Sequence, residues 1–500
     1  MEQLSEMDYS LLQMENNRTF QHIAVVMFYD QTAVKGGEVR FKQILKVFER
    51  SLPRSRVFRR KLGGSTVGFD TPYWFEDPDF NLEFHVRHIA LPRPGDWRQL
   101  CIQLARLHSR GIDLSRPPWE AYVIEGLNRV EGLPPGSFAI MLKIHHAAVD
   151  GVAMAKILDG LHSLTGDPEP PQLPDEWQGE SEPSPREVWS RALRKTVSRP
   201  AKLAEALRET VPRMIKANRG SPMNEQFSES FKTRFNTRIS PHRVVDGIIL
   251  DLEQVKAVKR AVDETTVNDV IVSTVGGALR RYLQSKGELP ERSLMAGAPI
   301  SVRLESGSDP WGNQLGIMWI KLATDVEDAL ERLRAVNASS REAKDYANAM
   351  GSRMMLDMGE GMGPMLFGAV TKLGSRMNQH TVVSNVPGPQ VPLYLAGARL
   401  HSLLALGPLM DGTGLFHGVI SGGGRISITF VACREMIPDP EFYRECLQQA
   451  WDQLQAATLA QGRTKPRASK TATRAVRKKR AKISPAGVAP KKRSGKKRGG

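Results

Sequence analysis

Apolar residues along this chain switch between two periods, and each switch marks an element. From Phe138 to Ile144 every second position is large and apolar (Phe138, Ile140, Leu142, Ile144), the alternation of a strand. Immediately afterwards Met154, Ile157, Leu158, Leu161 and Leu164 recur at helical spacing. The chain therefore passes from strand to helix between His146 and Gly151. A second strand is predicted at Ile23–Tyr29, with helical stretches around Val47 and over Gln99–Ser109. In the last third, Phe416–Ile420 and Ile426–Val431 flank Gly422-Gly423-Gly424, which predicts a hairpin turn. No helix follows those glycines, so a nucleotide-binding loop is rejected.

The strand-to-helix junction reads Lys143-Ile144-His145-His146-Ala147-Ala148-Val149-Asp150-Gly151, a His-His-x-x-x-Asp-Gly signature. Successive strand side chains point to opposite faces, so the two histidines cannot reach one site. With the strand persisting through Phe138–His146, His146 shares the apolar face and His145 lies opposite. One histidine is then available for chemistry while the other is structural. An imidazole accepts a proton near neutral pH and returns it, which is what an alcohol needs to become a nucleophile. Asp150 stands where a helix N-cap would stand, and as a carboxylate it can also act on the charge of a nearby histidine or order the loop. The chain has no Gly-x-Ser-x-Gly elbow, which suits direct transfer from a thioester better than a serine hydrolase.

Five further segments, taken in order, extend the pattern. They are Leu4-Ser5-Glu6-Met7-Asp8; Arg116-Pro117-Pro118-Trp119-Glu120 with Ile124-Glu125-Gly126-Leu127; Val267-Asn268-Asp269-Val270-Ile271; Pro299-Ile300-Ser301-Val302-Arg303 with Gly312-Asn313-Gln314; and Ser384-Asn385-Val386-Pro387-Gly388-Pro389. Together with the histidine motif, these resemble the bacterial wax ester synthase / acyl-CoA:diacylglycerol acyltransferase family over most of residues 1–455, with Pro118 where the family usually has leucine. Plant-type acyltransferases carry a late Asp-Phe-Gly-Trp-Gly that is absent here. Peptide-forming condensation domains share the histidine motif but usually sit beside carrier domains, and none is read in this chain.

The resemblance implies an α/β (α+β) fold of two chloramphenicol-acetyltransferase-like domains flanking a substrate tunnel, with His146 as the general base. It implies that His145 and Asp150 shape the site, with Arg303 a candidate partner for Asp150. Asn268 is a candidate for orienting substrate or stabilising an oxyanion, and it equally suits a cap in the first turn of a helix over Val270, Ile271, Val275 and Leu279. Pro118-Trp119 and Asn385-Pro387-Gly388-Pro389 read as structural, since proline and glycine fix a loop's path.

Composition adds compartment and surface. The three cysteines, Cys101, Cys433 and Cys446, are widely spread and form no metal-spaced cluster, as expected in a reduced cytosolic compartment. The N-terminus has no signal pattern, and no apolar run suits a spanning helix, so membrane contact is expected to be peripheral. The formal charge of +16 is segregated: residues 463–500 hold 16 Lys/Arg and no acid, leaving the rest neutral. Such a tail cannot bury a core and is expected to be disordered, adhering to anionic lipid or nucleic acid, or serving only solubility.

The expected organisation is an acyltransferase half at 1–164, a Pro-rich linker and basic amphipathic helices at 165–234, a second half at 235–462 and the tail at 463–500. The linker occupies Asp167–Pro185, and a helix pair interrupted at Pro200 and Pro212 follows over Arg186–Arg219. That pair suits either a crossover packed between the halves or a membrane surface. The expected activity is acyl-CoA-dependent O-acyl transfer to diacylglycerol or a long-chain alcohol, with acyl-CoA as co-substrate and no cofactor or metal. The expected place is the cytoplasm, at the inner face of the membrane or on lipid bodies. The alternative is an inactive body whose basic tail tethers lipid bodies or nucleic acid.

Overall fold

The computed structural model describes residues 2–64, 70–149, 151–167, 184–218, 231–301, 315–350, 359, 361–369 and 379–464. Asp150, Arg303, Gly312-Asn313-Gln314, most of the Pro-rich linker and residues 465–500 lie outside them. The described strands are β1 (Glu2–Gln3), β2 (His22–Asp30), β3 (Arg60–Gly63), β4 (Tyr73–Glu76), β5 (Val86–Ala90), β6 (Trp119–Glu125), β7 (Phe138–His145), β8 (Arg243–Asp251), β9 (Met295–Ser301), β10 (Leu315–Lys321), β11 (Thr381–Val386), β12 (Tyr394–Leu395), β13 (Ala398–Leu406), β14 (Leu415–Gly422) and β15 (Arg425–Cys433). The helices carried forward are α1 (Glu6–Met14), α2 (Phe41–Ser51), α3 (Leu82–His85), α4 (Trp97–His108), α5 (Gly151–Leu161), α6 (Pro185–Asn218), α7 (Leu252–Ala261), α8 (Val267–Ser285), α9 (Ala329–Met350) and α10 (Pro440–Thr464).

Two six-stranded mixed sheets dominate. One has the order β12-β13-β2-β7-β6-β5 and the other β10-β9-β11-β14-β15-β8. β7 is buried on both faces. Its even face (Phe138, Ile140, Leu142, Ile144) packs with α2 and α5, while Ala139 and Met141 on the odd face join the core of the second sheet. That two-sided burial explains the apolar run read from the sequence. The strand ends at His145, one residue before the predicted end, so His146 opens the turn instead of closing the strand.

The two halves interlock through shared sheet pairing. β13, from the second half, pairs antiparallel with β2 and carries β12 into the first sheet. In return α4 packs on β8, where the Trp97 indole Nε1 donates to Asp246 Oδ1 at 2.7 Å. Glycine makes the crossing of the sheets possible. A Cβ on Gly418 of β14 would lie 2.1 Å from the Ala405 carbonyl oxygen of β13, so no larger residue fits unless the backbone moves. The expected hairpin forms between β14 and β15, with Gly423 and Gly424 at φ 61° and 78°. The helix pair expected at 186–219 is one continuous helix, α6, which runs through both Pro200 and Pro212.

Candidate active site

The end of β7 is held from three sides. The His145 N–H donates to the Pro118 carbonyl at 2.9 Å, so the Pro-Trp element anchors the strand end. Trp119 is fully buried, stacked against His85 and Phe48, with its Nε1 donating to the Phe58 carbonyl at 2.8 Å. The structural reading of Pro118-Trp119 thus describes what the residues do. On the other edge, the His146 N–H donates to the Gln21 carbonyl at 2.7 Å. The turn then closes through Ala148 N–H to His145 O at 2.9 Å.

His145 is buried and its ring is oriented. Nδ1 accepts from the Ala147 N–H at 3.1 Å, which places the proton of the neutral ring on Nε2. That Nε2 lies 3.2 Å from Glu15 Oε1, a close contact rather than an aligned hydrogen bond. The same carboxylate oxygen accepts the Gln21 N–H at 2.6 Å. Glu15 therefore touches both neighbours of His146: the ring of His145 and the backbone of Gln21. Sequence reasoning missed it. Its nearest signal was Leu4-Ser5-x-x-Asp8, which caps α1 through Ser5 Oγ accepting from the Asp8 N–H at 3.0 Å and so fixes the helix at whose end Glu15 stands.

Beneath the strand end lies a polar layer. Lys143 is fully buried, with Nζ donating to the carbonyls of Leu107 and Arg110 at 3.1 and 2.6 Å and reaching Glu120 Oε2 at 3.4 Å. Burial pushes its ammonium down to about 8. His22, the register partner of His145, donates from Nε2 to the His108 carbonyl at 2.7 Å, and His108 Nε2 donates to Gly407 O at 2.9 Å. Burial, reinforced by the Lys143 charge, holds both imidazoles neutral, His108 down to about 3. These groups are enclosed, whereas His146 is half-buried in the turn.

A second cluster joins two motifs of the other half. Asn268 sits in the first turn of α8, but it is not the cap. Thr266 and Asp269 form that cap: Thr266 Oγ1 accepts from the Asp269 N–H, and Asp269 Oδ2 accepts from the Thr266 N–H. Asn268 Oδ1 instead accepts from Asn385 Nδ2 at 3.3 Å. The Asn-Asp and Ser-Asn-Val-Pro-Gly-Pro elements therefore meet side chain to side chain. Gly388 keeps the following loop close to β14, since a Cβ there would lie 1.7 Å from Ser421 O. Val386 pairs in register with Ile420, whose side chain is buried in the same core as Ala148 and Val149. Through that core the asparagine pair is tied to the histidine turn.

The two sheet-rich halves have the chloramphenicol-acetyltransferase-like, condensation-type fold of acyltransferases. Residues 4–271 match the wax ester synthase/diacylglycerol acyltransferase catalytic domain, and residues 311–455 match the C-terminal domain of the same proteins. The chain belongs to the wax ester synthase/diacylglycerol acyltransferase family. It is 33% identical over 473 residues to a Mycobacterium tuberculosis protein bearing the name diacylglycerol O-acyltransferase, covering 91% of each chain. The wax ester synthase/diacylglycerol acyltransferase of Marinobacter aquaeolei VT8 is similar in structure, with a TM-score of 0.65 and 26% identity over 91% of this chain and 99% of that one. The first condensation domain of the calcium-dependent antibiotic synthetase shares the fold at a TM-score of 0.55 and 13% identity, covering 91% of this chain and 96% of that one.

Proposed function

We propose that this acyltransferase moves a fatty acyl group from acyl-CoA to a lipid hydroxyl, making triacylglycerol from diacylglycerol, wax ester from a long-chain alcohol, or both. His146 is the general base. It takes the hydroxyl proton as the oxygen attacks the thioester carbonyl; the C–O bond forms, a tetrahedral intermediate collapses, the C–S bond breaks, and the proton passes from the imidazolium to the CoA thiolate. Atoms and charge balance with no further cofactor. His145 and Glu15 position the turn, the family resemblance gives Asp150 a site-shaping role with Arg303 as its candidate partner, and the Asn268–Asn385 pair orients substrate or meets the developing oxyanion.

The observation that carries this reading is the half-buried His146 on a turn whose every neighbour is pinned. The names of the relatives favour diacylglycerol as acceptor. The test is CoA release from palmitoyl-CoA with dioleoylglycerol or hexadecanol supplied in parallel. Release that requires an acceptor supports the reading, and the faster acceptor names the product. No release with either alcohol overturns it.

The proposed setting is cytoplasmic, at the inner membrane face or on lipid bodies. The charge segregation supports a second role for the basic tail, adhesion to anionic lipid or nucleic acid.

A further inference from the structure

One face of α6 is apolar and, among the described residues, uncovered along nearly its whole length. Trp189, Leu193, Val197, Pro200, Ala204, Leu207, Val211 and Ile215 follow one another at steps of three and four, and all eight are exposed. At about 100° per residue they fall within an arc of about 80°, and they extend along about 39 Å of helix. Trp189 and Val197 are 61% and 74% exposed, so these large side chains stand out from the protein.

The exposed face is not the side on which the helix is anchored. Val188, Ala192, Ala206 and Thr210 form the buried stripe. Gly361 brings its backbone against Leu203, Gly363 lies against the Arg199 side chain, and Lys195 Nζ is 4.0 Å from Asp70 of the first half. α9 packs on the same helix. The segment 361–369 that lies against α6 also exposes Met365 and Leu366, at 67% and 52%.

Charge says what covers such a face. Between Pro185 and Asn218 there are nine Lys/Arg and three Glu. Around the helix, exposed Arg186 falls within the arc of the stripe and exposed Arg208 and Arg194 lie about 20° and about 60° beyond its edge, whereas Glu187 and Glu205 lie about 80° and Glu209 about 120° beyond it. A soluble protein partner would need its own matching apolar ridge. An anionic phospholipid surface takes apolar side chains into its acyl boundary and attracts the flanking guanidinium groups at once. We infer that α6 docks this enzyme flat on an anionic phospholipid surface through Trp189, Leu193, Val197, Leu207, Val211 and Ile215. Because the acceptors proposed above partition into that surface, docking there places the enzyme beside its substrates, and its purpose to that extent rests on the acyl-transfer reading.

The test uses the full chain, wild type and Trp189→Ser/Leu193→Ser/Val197→Ser, in flotation with vesicles of phosphatidylcholine containing 30 mol% phosphatidylglycerol. Bound wild type is expected to exceed the triple variant at least tenfold, with both proteins giving the same far-ultraviolet circular dichroism and light-scattering mass. Brominated phospholipid is expected to quench tryptophan fluorescence, and Trp189→Phe to remove most of that quenching. The basic tail contains no tryptophan, so quenching separates the helix from the tail. Equal flotation of wild type and triple variant, or quenching that survives Trp189→Phe, overturns the inference. A wild-type dimer that the triple variant converts to monomer overturns it as well, since the stripe would then be covered by a second copy. Acyl transfer from acyl-CoA to a short, water-soluble alcohol is measured beside it. Retained lipid binding without transfer counts against the catalytic reading alone, and retained transfer without lipid binding counts against the docking alone.

Discussion

Glu15 Oε1 lies 3.2 Å from His145 Nε2 and, at 2.6 Å, accepts the N–H of Gln21, the residue whose carbonyl takes the His146 N–H. A single carboxylate thus joins the end of α1 to both neighbours of the proposed base. Glu15→Gln keeps an acceptor for Gln21 and removes the charge facing His145; Glu15→Ala removes both. The alanine variant is expected to lower kcat by about 10- to 100-fold with KM little changed, and the glutamine variant to lose less. Equal activity of all three proteins would remove Glu15 from the site.

The Asn268–Asn385 hydrogen bond makes a separate claim. If the pair acts as one unit, Asn268→Ala and Asn385→Ala should not combine additively. A double-mutant cycle on kcat/KM is expected to give a coupling energy of about 0.5–1.5 kcal/mol. Strict additivity would mean that the two amides serve independently.

The crossing of the sheets predicts a stability effect with its own control. Gly418→Ala drives a Cβ against the Ala405 backbone and should cost at least about 2 kcal/mol, read as a melting temperature lower by a few degrees. Gly160, in α5, has open space where a Cβ would go, so Gly160→Ala is expected to be neutral or stabilising by up to about 1 kcal/mol.

Acid should destabilise this fold through histidines unconnected with catalysis. Burial pushes His162 and His380 down to about 4 and His108 and His417 down to about 3. Each is depressed below the ordinary value near 6.5, so the unfolded chain binds more protons as pH falls. Their contribution is complete above about pH 6.5 and is lost progressively toward pH 3–4. The melting temperature should fall from pH 7 to pH 5. His162→Gln, which removes a ring bonded to Tyr29 Oη and Leu158 O, should lower the starting value but flatten the slope. A parallel decline would show that His162 does not titrate on unfolding.

Local pattern carried much of this fold. The alternation in β7, the helix after Gly151, the glycine hairpin and the motif set were all legible, because each is written within a few neighbouring residues. The pairing of β13 with β2 was not. It joins Arg399 to Asp30 and Leu406 to Ala24, and a contact at that separation leaves no periodic trace in either strand. The proline rule predicted breaks at Pro200 and Pro212, yet α6 continues through both; each proline sits on an exposed face, where one lost backbone bond leaves a carbonyl open to water. Asn268 looked like a cap because it lies in a first turn, and only the three-dimensional partner Asn385 distinguishes it from Thr266 and Asp269. Glu15 had no signal of its own, since a single glutamate at a helix end is ordinary.

The central claim is that His146 moves the proton. The most direct measurement is the rate of ester formation from palmitoyl-CoA and dioleoylglycerol by wild type and His146→Ala, with melting curves run beside them. The account predicts a loss of at least about 100-fold in kcat for a variant that melts within a few degrees of wild type. A folded His146→Ala protein that turns over at the wild-type rate would contradict it.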